Sequence, residues 1–233
     1  MLDPCILLRG SGDHYSISTM HVDDCMITSA STSEIKRIKG EIQLEFKTKY
    51  FGEAKSLLDL EIQREKALGN LYISQRDDIE KMLMRFEMEG SKTVDTQIVD
   101  KKSGGGDNRK LSDGEQTLFQ KITGCLIYLA SRTRYDIDYA VMVRGQEIIQ
   151  AVQDDLTAAK RVLRYRKGSP NLGIKFSQGD FMLKSYVDAS YASPPLNYML
   201  ASGYIITLGR APILLGARIQ RTVCHRRREN RNS

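Results

Sequence analysis

The chain contains 233 residues, 41% of them hydrophobic and 27% charged, which is the composition of an ordinary globular protein. This argues against a disordered, collagen-like or membrane-bundle chain, and no apolar run reaches the roughly 18 residues that a membrane-spanning helix needs. The net charge of +6 lies entirely after Leu208, because residues 210–233 contain seven arginines and a single acid, Glu229. The charge therefore does not indicate a basic surface spread over the whole protein.

The N-terminus and the cysteines bear on the compartment. The chain starts with neither a basic segment nor a long apolar stretch, so no secretory signal is predicted. The cysteines at 5, 25, 125 and 224 are too far apart for a CxxC metal pair and too few for a disulfide framework. We expect a reducing compartment, cytoplasmic or nuclear, and no association with a membrane.

The first predicted elements are two strands around an acidic turn. Polar and apolar residues alternate in 15–22, and strand character resumes in 25–28 after Asp23 and Asp24. Serine and threonine at 31–33 are good N-cap residues, so a helix is expected to follow. Its apolar face is formed by Ile35, Ile38, Ile42 and Phe46.

The pattern then repeats as two strands and a helix, which gives ββαββα for residues 1–90. Alternation in 58–62 predicts a half-buried strand, and the turn signal Gly69-Asn70 leads into a short strand at 71–73. A helix with Ile79, Leu83 and Phe86 on one face follows. Residues 91–114 are polar and rich in glycine, and we expect a linker or surface loop there.

The second half is expected to be helical and then to form a separate sheet. Three helical patterns occupy residues 115–168. Strand patterns at 171–176, 183–187 and 204–208 predict three short strands of a second sheet within 169–223. Residues 224–233 have almost no apolar content and should be disordered.

Asp23-Asp24 is the sharpest candidate for chemistry. Two adjacent carboxylates on a hairpin can bind divalent metal ions for phosphoryl transfer if another acid lies nearby. The alternative is a plain polar turn, which the dipeptide alone favours. Asp188, at the end of a predicted strand, is a second candidate for metal binding. The alternative is a capping or surface aspartate, which a single carboxylate favours. The basic run 164–167 could contact phosphates, although the C-terminal turn of a solvated helix explains it as well.

Seven short motifs follow one another along the chain, at 3–5, 21–25, 51–55, 71–75, 124–130, 133–141 and 159–168. In this order they resemble the C-terminal part of a copia-type LTR-retrotransposon Pol polyprotein. The resemblance extends from residue 3 to about residue 223, and the ordered set is specific although no single motif is.

The resemblance implies a reverse-transcriptase palm and thumb, a helical connection and a ribonuclease H domain. Asp23 and Asp24 match the two metal-binding acids of the polymerase hairpin, and Asp188 matches the first metal-binding acid of the ribonuclease H site. All three would bind Mg²⁺. The implied partners are an RNA or DNA template-primer and an RNA–DNA hybrid. His21 stands where the family usually has tyrosine, and Tyr135 where it usually has proline.

Other departures from the family predict that this chain is inactive. The family's third polymerase acid and its fingers would precede residue 1, and Leu215 replaces a tryptophan. The match stops after Val223, where an arginine-rich string replaces the segment that carries the next ribonuclease H acid. A frameshift there is our hypothesis, and the other two frames of the coding DNA would test it.

The sequence therefore predicts an α+β protein with a truncated palm and thumb in 1–90, a helical connection in 115–168 and a partial ribonuclease H-like mixed sheet in 169–223. We interpret it as a catalytically inactive reverse-transcriptase fragment. The alternatives are a non-catalytic nucleic-acid-binding remnant and a folded by-product without a selected role. Unpaired sheet edges predict some self-association.

Overall fold

The computed structural model describes residues 3–98, 107–145, 148–179, 181–190 and 201–219. Within these ranges the chain forms five helices and three antiparallel sheets, so the predicted α+β class is confirmed. It divides into two compact units, Met1–Ala54 and Lys55–Ser233. The division falls inside the region 1–90 that was expected as one domain. None of the helices in the described ranges is long and apolar enough to cross a membrane.

The first unit is a three-stranded antiparallel sheet with one helix. Its elements are β1 Ile6–Arg9, β2 Ser16–His21, β3 Asp24–Ser29 and α1 Thr32–Glu45, with strand order β1-β2-β3. The predicted strand, acidic turn, strand and helix are all present. Ser31 caps α1 by accepting a hydrogen bond from the Glu34 N–H at 3.3 Å. Strand β1 was not predicted, because the apolar run 6–8 does not alternate.

The described residues of the second unit form two sheets and four helices. Its strands are β4 Ser56–Leu57, β5 Leu60–Glu65, β6 Asn70–Ser74, β7 Ile174–Phe176, β8 Leu183–Ser190, β9 Ala201–Leu208 and β10 Ala211–Ile219. Its helices are α2 Arg76–Arg85, α3 Asp113–Arg132, α4 Asp138–Gly145 and α5 Gln153–Gly168. One sheet has the order β4-β5-β6-β7 and the other the order β10-β9-β8.

The hydrophobic core of the second unit lies among its helices. On α3, Phe119, Ile122 and Leu129 are fully buried at the spacing of one helix face, and Ala159 and Leu163 on α5 pack into the same cluster. Burying a side chain of this size contributes about 1.5 to 3 kcal/mol. This core confirms two of the three helical patterns predicted in residues 115–168.

Two expectations about the second sheet were wrong. Strand β7 pairs with β6, through Ile73 opposite Ile174, and so belongs to the sheet formed earlier in the chain. Strand pairing within the described residues is antiparallel throughout, whereas a mixed sheet was expected. The physical reason is that alternation identifies the buried face of a strand but not the strand that lies beside it. The expected disordered tail, 224–233, lies outside the described residues.

Strand β10 was also missed in the sequence. Pro212 and Gly216 argue against a strand, since proline cannot donate to a neighbour and glycine weakens the ladder. Both are accommodated because β10 is an edge strand with an irregular register between Pro212 and Leu214. A Cβ on Gly216 would lie 2.7 Å from the ring of Tyr204, so this glycine allows that ring to cross the strand.

A capping box starts α3 and links it to the preceding loop. The Ser112 N–H donates to Glu115 at 2.9 Å, and the Glu115 N–H donates to the Ser112 hydroxyl at 3.4 Å. Arg109 also donates to both Glu115 carboxylate oxygens, at 2.8 and 3.0 Å. Arg109 first, and then Ser112, lower the pKa of Glu115 from 4.5 to about 2.

We expect the Glu115 contribution to stability to be complete above its unfolded pKa of 4.5 and to be lost as the pH falls toward about 2. The folded pKa is the lower one, so the folded state binds the proton less tightly. Glu115→Gln should flatten the acid limb of a plot of urea-unfolding free energy against pH. The exposed residue Glu89 offers a control, and Glu89→Gln should leave that limb unchanged. A limb equally steep in Glu115→Gln would contradict the expectation.

Candidate metal centre

The acidic pair lies at the tip of the hairpin that joins β2 and β3. His21 is paired with Asp24 across the two strands, which leaves Val22 and Asp23 as a two-residue loop. Asp23 is thus the second loop residue and Asp24 the first residue of β3. Both carboxylates are exposed, so a divalent cation can reach them from solvent.

The residue before the pair has a strained backbone. Val22 has a φ of 52°, a value that β-branched residues rarely adopt. A positive φ at the first of two loop residues is the pattern of a type II′ turn, where glycine is preferred. The Val22 side chain is 90% exposed, so packing does not offset this strain. Strain of this kind is commonly found at functional sites, where it fixes the direction of neighbouring side chains.

We expect Val22→Gly to raise the free energy of unfolding of the first unit by about 1 kcal/mol, because glycine adopts a positive φ without a steric penalty. Urea unfolding followed by circular dichroism would measure the change. A matched control is Met20→Gly, at a strand position of the same hairpin, where stability should fall by about 1 kcal/mol. A loss of stability in Val22→Gly would show that this φ carries no strain.

The two carboxylates meet only part of what a metal centre needs. Carboxylate oxygens suit Mg²⁺, which proteins commonly hold through one or two carboxylates together with substrate phosphates. The residues therefore fit a cation that a phosphate-bearing substrate shares. In the part of the chain that the structure describes, no group of three or more His, Cys, Asp or Glu side chains could hold a metal ion.

Asp188 lies in the second unit, in a different setting. It is on β8, opposite Gly203 of β9, and its side chain is exposed. Strands β8, β9 and β10 contain no other Asp or Glu. The described part of this sheet therefore places one carboxylate, and no second acid, where a ribonuclease H metal site was predicted.

The basic run at the end of α5 is neither a solvated face nor a free phosphate site. Arg164 donates to the Lys92 carbonyl at 2.6 Å, and Lys167 donates to the Ser91 carbonyl at 2.6 Å and to that of Glu89. These bonds fasten the segment after α2 to α5. Both interpretations of the run from sequence missed this use of the cations, because the acceptors are main-chain carbonyls more than 70 residues away.

A second group of polar residues lies in two of the motifs that resemble the family, 133–141 and 159–168. No role was predicted for these residues from the sequence. Arg134, which is fully buried, donates to both carboxylate oxygens of Asp136 at 2.7 Å and to the Ser169 carbonyl at 2.7 Å. The Tyr165 hydroxyl also donates to Asp136, at 2.8 Å. Burial first, and then this hydrogen bond, raise the pKa of Tyr165. This network joins the end of α3 to the end of α5 and is structural.

Comparisons with known proteins identify sequences that are similar to this chain. Residues 2–100 match the family model described as reverse transcriptase (RNA-dependent DNA polymerase). The chain is 29% identical over 95% of its length to the retrovirus-related Pol polyprotein from transposon TNT 1-94 of Nicotiana tabacum. It is 33% identical over 94% of its length to the corresponding polyprotein from transposon RE1 of Arabidopsis thaliana.

The chain therefore belongs to the copia-type family of retrovirus-related transposon Pol polyproteins. It spans 17% of the TNT 1-94 polyprotein and 14% of that from RE1. It is also 27% identical, over 88% of its length, to an uncharacterized mitochondrial protein of Arabidopsis thaliana, AtMg00810, and covers 83% of that protein. No solved structure matches the chain.

Proposed function

We propose that residues 1–90 are the part of a retrotransposon reverse transcriptase that carries the two metal-binding aspartates of the polymerase hairpin, and that the 233-residue chain by itself does not polymerise DNA. The observation that carries the proposal is the exposed Asp23-Asp24 pair on a strained two-residue hairpin. In a chain of this family, such a pair would bind Mg²⁺ together with the phosphates of an incoming nucleotide.

The inactivity follows from the number of ligands. Two-metal phosphoryl transfer needs carboxylates that hold both ions in line with the attacking and leaving oxygens. Asp23 and Asp24 are adjacent on one hairpin, and no described group supplies a third acid beside them. The pair would therefore bind a cation weakly and leave the attacking hydroxyl without a positioned metal.

A metal-binding experiment tests the proposed role of the pair without relying on activity. In NMR spectra of the full chain with a deoxynucleoside triphosphate, Mn²⁺ should broaden the amide signals of residues 22–25. Asp23→Asn combined with Asp24→Asn should abolish this broadening. Asp77→Asn is the matched control, because Asp77 is an exposed acid of another Asp-Asp pair, and it should retain the effect. Broadening that survives removal of both hairpin carboxylates would overturn the role.

A primer-extension assay tests the proposed inactivity. The purified chain with Mg²⁺ should incorporate no nucleotide on an RNA template. Incorporation that Asp23→Ala abolishes would show that the chain completes a polymerase site, and would overturn the proposal of inactivity while leaving the role of the pair intact.

For the second unit we propose that β8 to β10 correspond to the start of a ribonuclease H domain, with Asp188 as its first metal-binding acid. The ordered motifs and the place of Asp188 on the first strand of this sheet support the assignment. With one carboxylate on the three strands, the isolated chain should not cleave the RNA of an RNA–DNA hybrid.

A nucleic-acid-binding remnant remains the second candidate. Its binding surface would consist of α5 and the arginine-rich tail, but Arg164 and Lys167 donate to main-chain carbonyls and Arg166 is buried. Any phosphate contact would therefore depend mainly on the tail. Affinity for an RNA–DNA hybrid that survives deletion of residues 224–233 would support a folded binding surface, whereas affinity lost with the tail would indicate charge attraction only.

A further inference from the structure

The two outer strands of the last sheet differ in how their edges are covered. On β10, the Ala217 N–H donates to Asp138 of α4 at 2.8 Å, and the Ile213 carbonyl accepts from the Tyr135 hydroxyl at 3.2 Å. These contacts satisfy main-chain groups along that edge. On β8, by contrast, no strand in the described ranges pairs with the edge that faces away from β9.

Strand β8 has few of the features that keep an edge strand from pairing. It is eight residues long and contains no proline. All of its residues from 183 to 188 are exposed, including the apolar Leu183 at 65% and Val187 at 78%. An edge of this kind is a ready template for another strand.

We propose that the open edge of β8 pairs antiparallel with β8 of a second copy of this chain, about a two-fold axis at Tyr186. Two copies of the sheet would then form one continuous antiparallel sheet. The self-complementary contact is of the isologous type that closes a two-fold dimer. The proposal depends only on the edge of β8, so it is independent of the proposed function.

The hydrogen-bonding geometry limits the possible registers. In an antiparallel pair, only alternate residues of a strand direct their N–H and C=O groups toward a given neighbour. A strand that pairs with its own copy must therefore place even-numbered residues opposite even-numbered ones. Lys184, Tyr186 and Asp188 also lie on the same face of β8, so their side chains meet across the new pairing.

The charges select one register from this set. Centring the axis on Lys184 or on Asp188 would place identical charges opposite each other, and centring it on Ser185 or Val187 would place neither charge opposite the other. Centring it on Tyr186 places Lys184 opposite Asp188 of the second copy, and the symmetry repeats this pair. Cross-strand pairs of opposite charge stabilise antiparallel sheets, and like charges directly opposite destabilise them. This register would also bring the Asp188 carboxylate beside an ammonium group, in competition with a metal ion.

A charge-swap experiment on the full chain tests the register. The wild-type chain should show a concentration-dependent dimer in sedimentation velocity. Lys184→Asp and Asp188→Lys should each weaken the dimer by roughly tenfold, since each creates two like-charged pairs. The double variant should recover to within about threefold of wild type, because opposite charges again face each other. Arg218→Asp on β10, which carries an exposed cation on the other edge strand, should leave dimerisation unchanged.

The proposal fails if the wild type stays monomeric over the accessible concentrations, or if the double variant is as weak as either single variant. A cross-link provides a second measurement that does not depend on charge. With the four native cysteines replaced by serine, Tyr186→Cys should form a disulfide-linked dimer when oxidised glutathione is added to accept the two electrons, since the two positions face each other across the axis. Val187→Cys, which would face Ser185, should not. Equal cross-linking of both variants would overturn the register.

Discussion

Asp136→Ala is expected to lower the free energy of unfolding of the second unit by about 3 kcal/mol. Arg134 is fully buried, and Asp136 accepts both of its bidentate hydrogen bonds at 2.7 Å. Removing the carboxylate leaves a buried guanidinium with only its bonds to Ser169, at 2.7 Å to the carbonyl and 2.9 Å to the hydroxyl. Urea unfolding, followed by circular dichroism, would measure the loss.

The loss of stability in Asp136→Ala should arise because the buried charge of Arg134 loses its partner, rather than because an attractive pair is lost. The double variant Arg134→Leu with Asp136→Ala should therefore recover part of the stability, because an apolar pair removes the buried charge. Asp95→Ala, at an exposed acid in the same unit, should change stability by less than about 0.5 kcal/mol. If the double variant were as unstable as the sum of its parts, the buried charge would not be the cause.

Arg166→Leu is expected to have the opposite effect and to raise the free energy of unfolding by about 3 kcal/mol. Arg166 is fully buried, and none of its three guanidinium nitrogens has a hydrogen-bond partner in the described structure. It lies on the face of α5 that includes Leu156, Ala159 and Leu163, all buried in the helical core. A leucine there would extend the apolar stripe and remove an uncompensated charge.

Arg164→Leu provides the matched control for Arg166→Leu. The change is chemically the same and lies two residues earlier on α5, but Arg164 is only partly buried and donates to the Lys92 carbonyl at 2.6 Å. That variant should lose about 1 kcal/mol through the missing hydrogen bond. A neutral or destabilising Arg166→Leu would mean that an anion or another group satisfies the buried guanidinium in solution.

The buried Arg166 also bears on the stability of the chain. An uncompensated cation in a core lowers stability without any visible gain in binding or chemistry. Such a buried cation is expected where a chain is not selected for maximal stability. A rise in stability on Arg166→Leu would therefore support the energetic argument.

Local sequence patterns predicted most elements because the required interactions are local. The Ser31 cap, the spacing of apolar residues on α3 and the alternation in β2 depend on residues a few positions apart. The same patterns placed Asp23 and Asp24 on a hairpin between two strands. They did not reveal the positive φ of Val22. Valine rarely adopts such an angle, and here the two-residue length of the loop imposes it.

The sequence by itself determined the α+β class, the acidic hairpin and the family. Tertiary structure alone decided that β7 pairs with β6 and that cations of α5 donate to main-chain carbonyls after α2. It also decided that buried Arg134 is paired with Asp136, whereas the buried guanidinium of Arg166 has no hydrogen-bond partner in the described structure. The physical reason is the range of the interactions. A cap or an amphipathic stripe is encoded within one segment, whereas the partner of a strand edge or of a buried charge is set by segments that meet only when the chain packs.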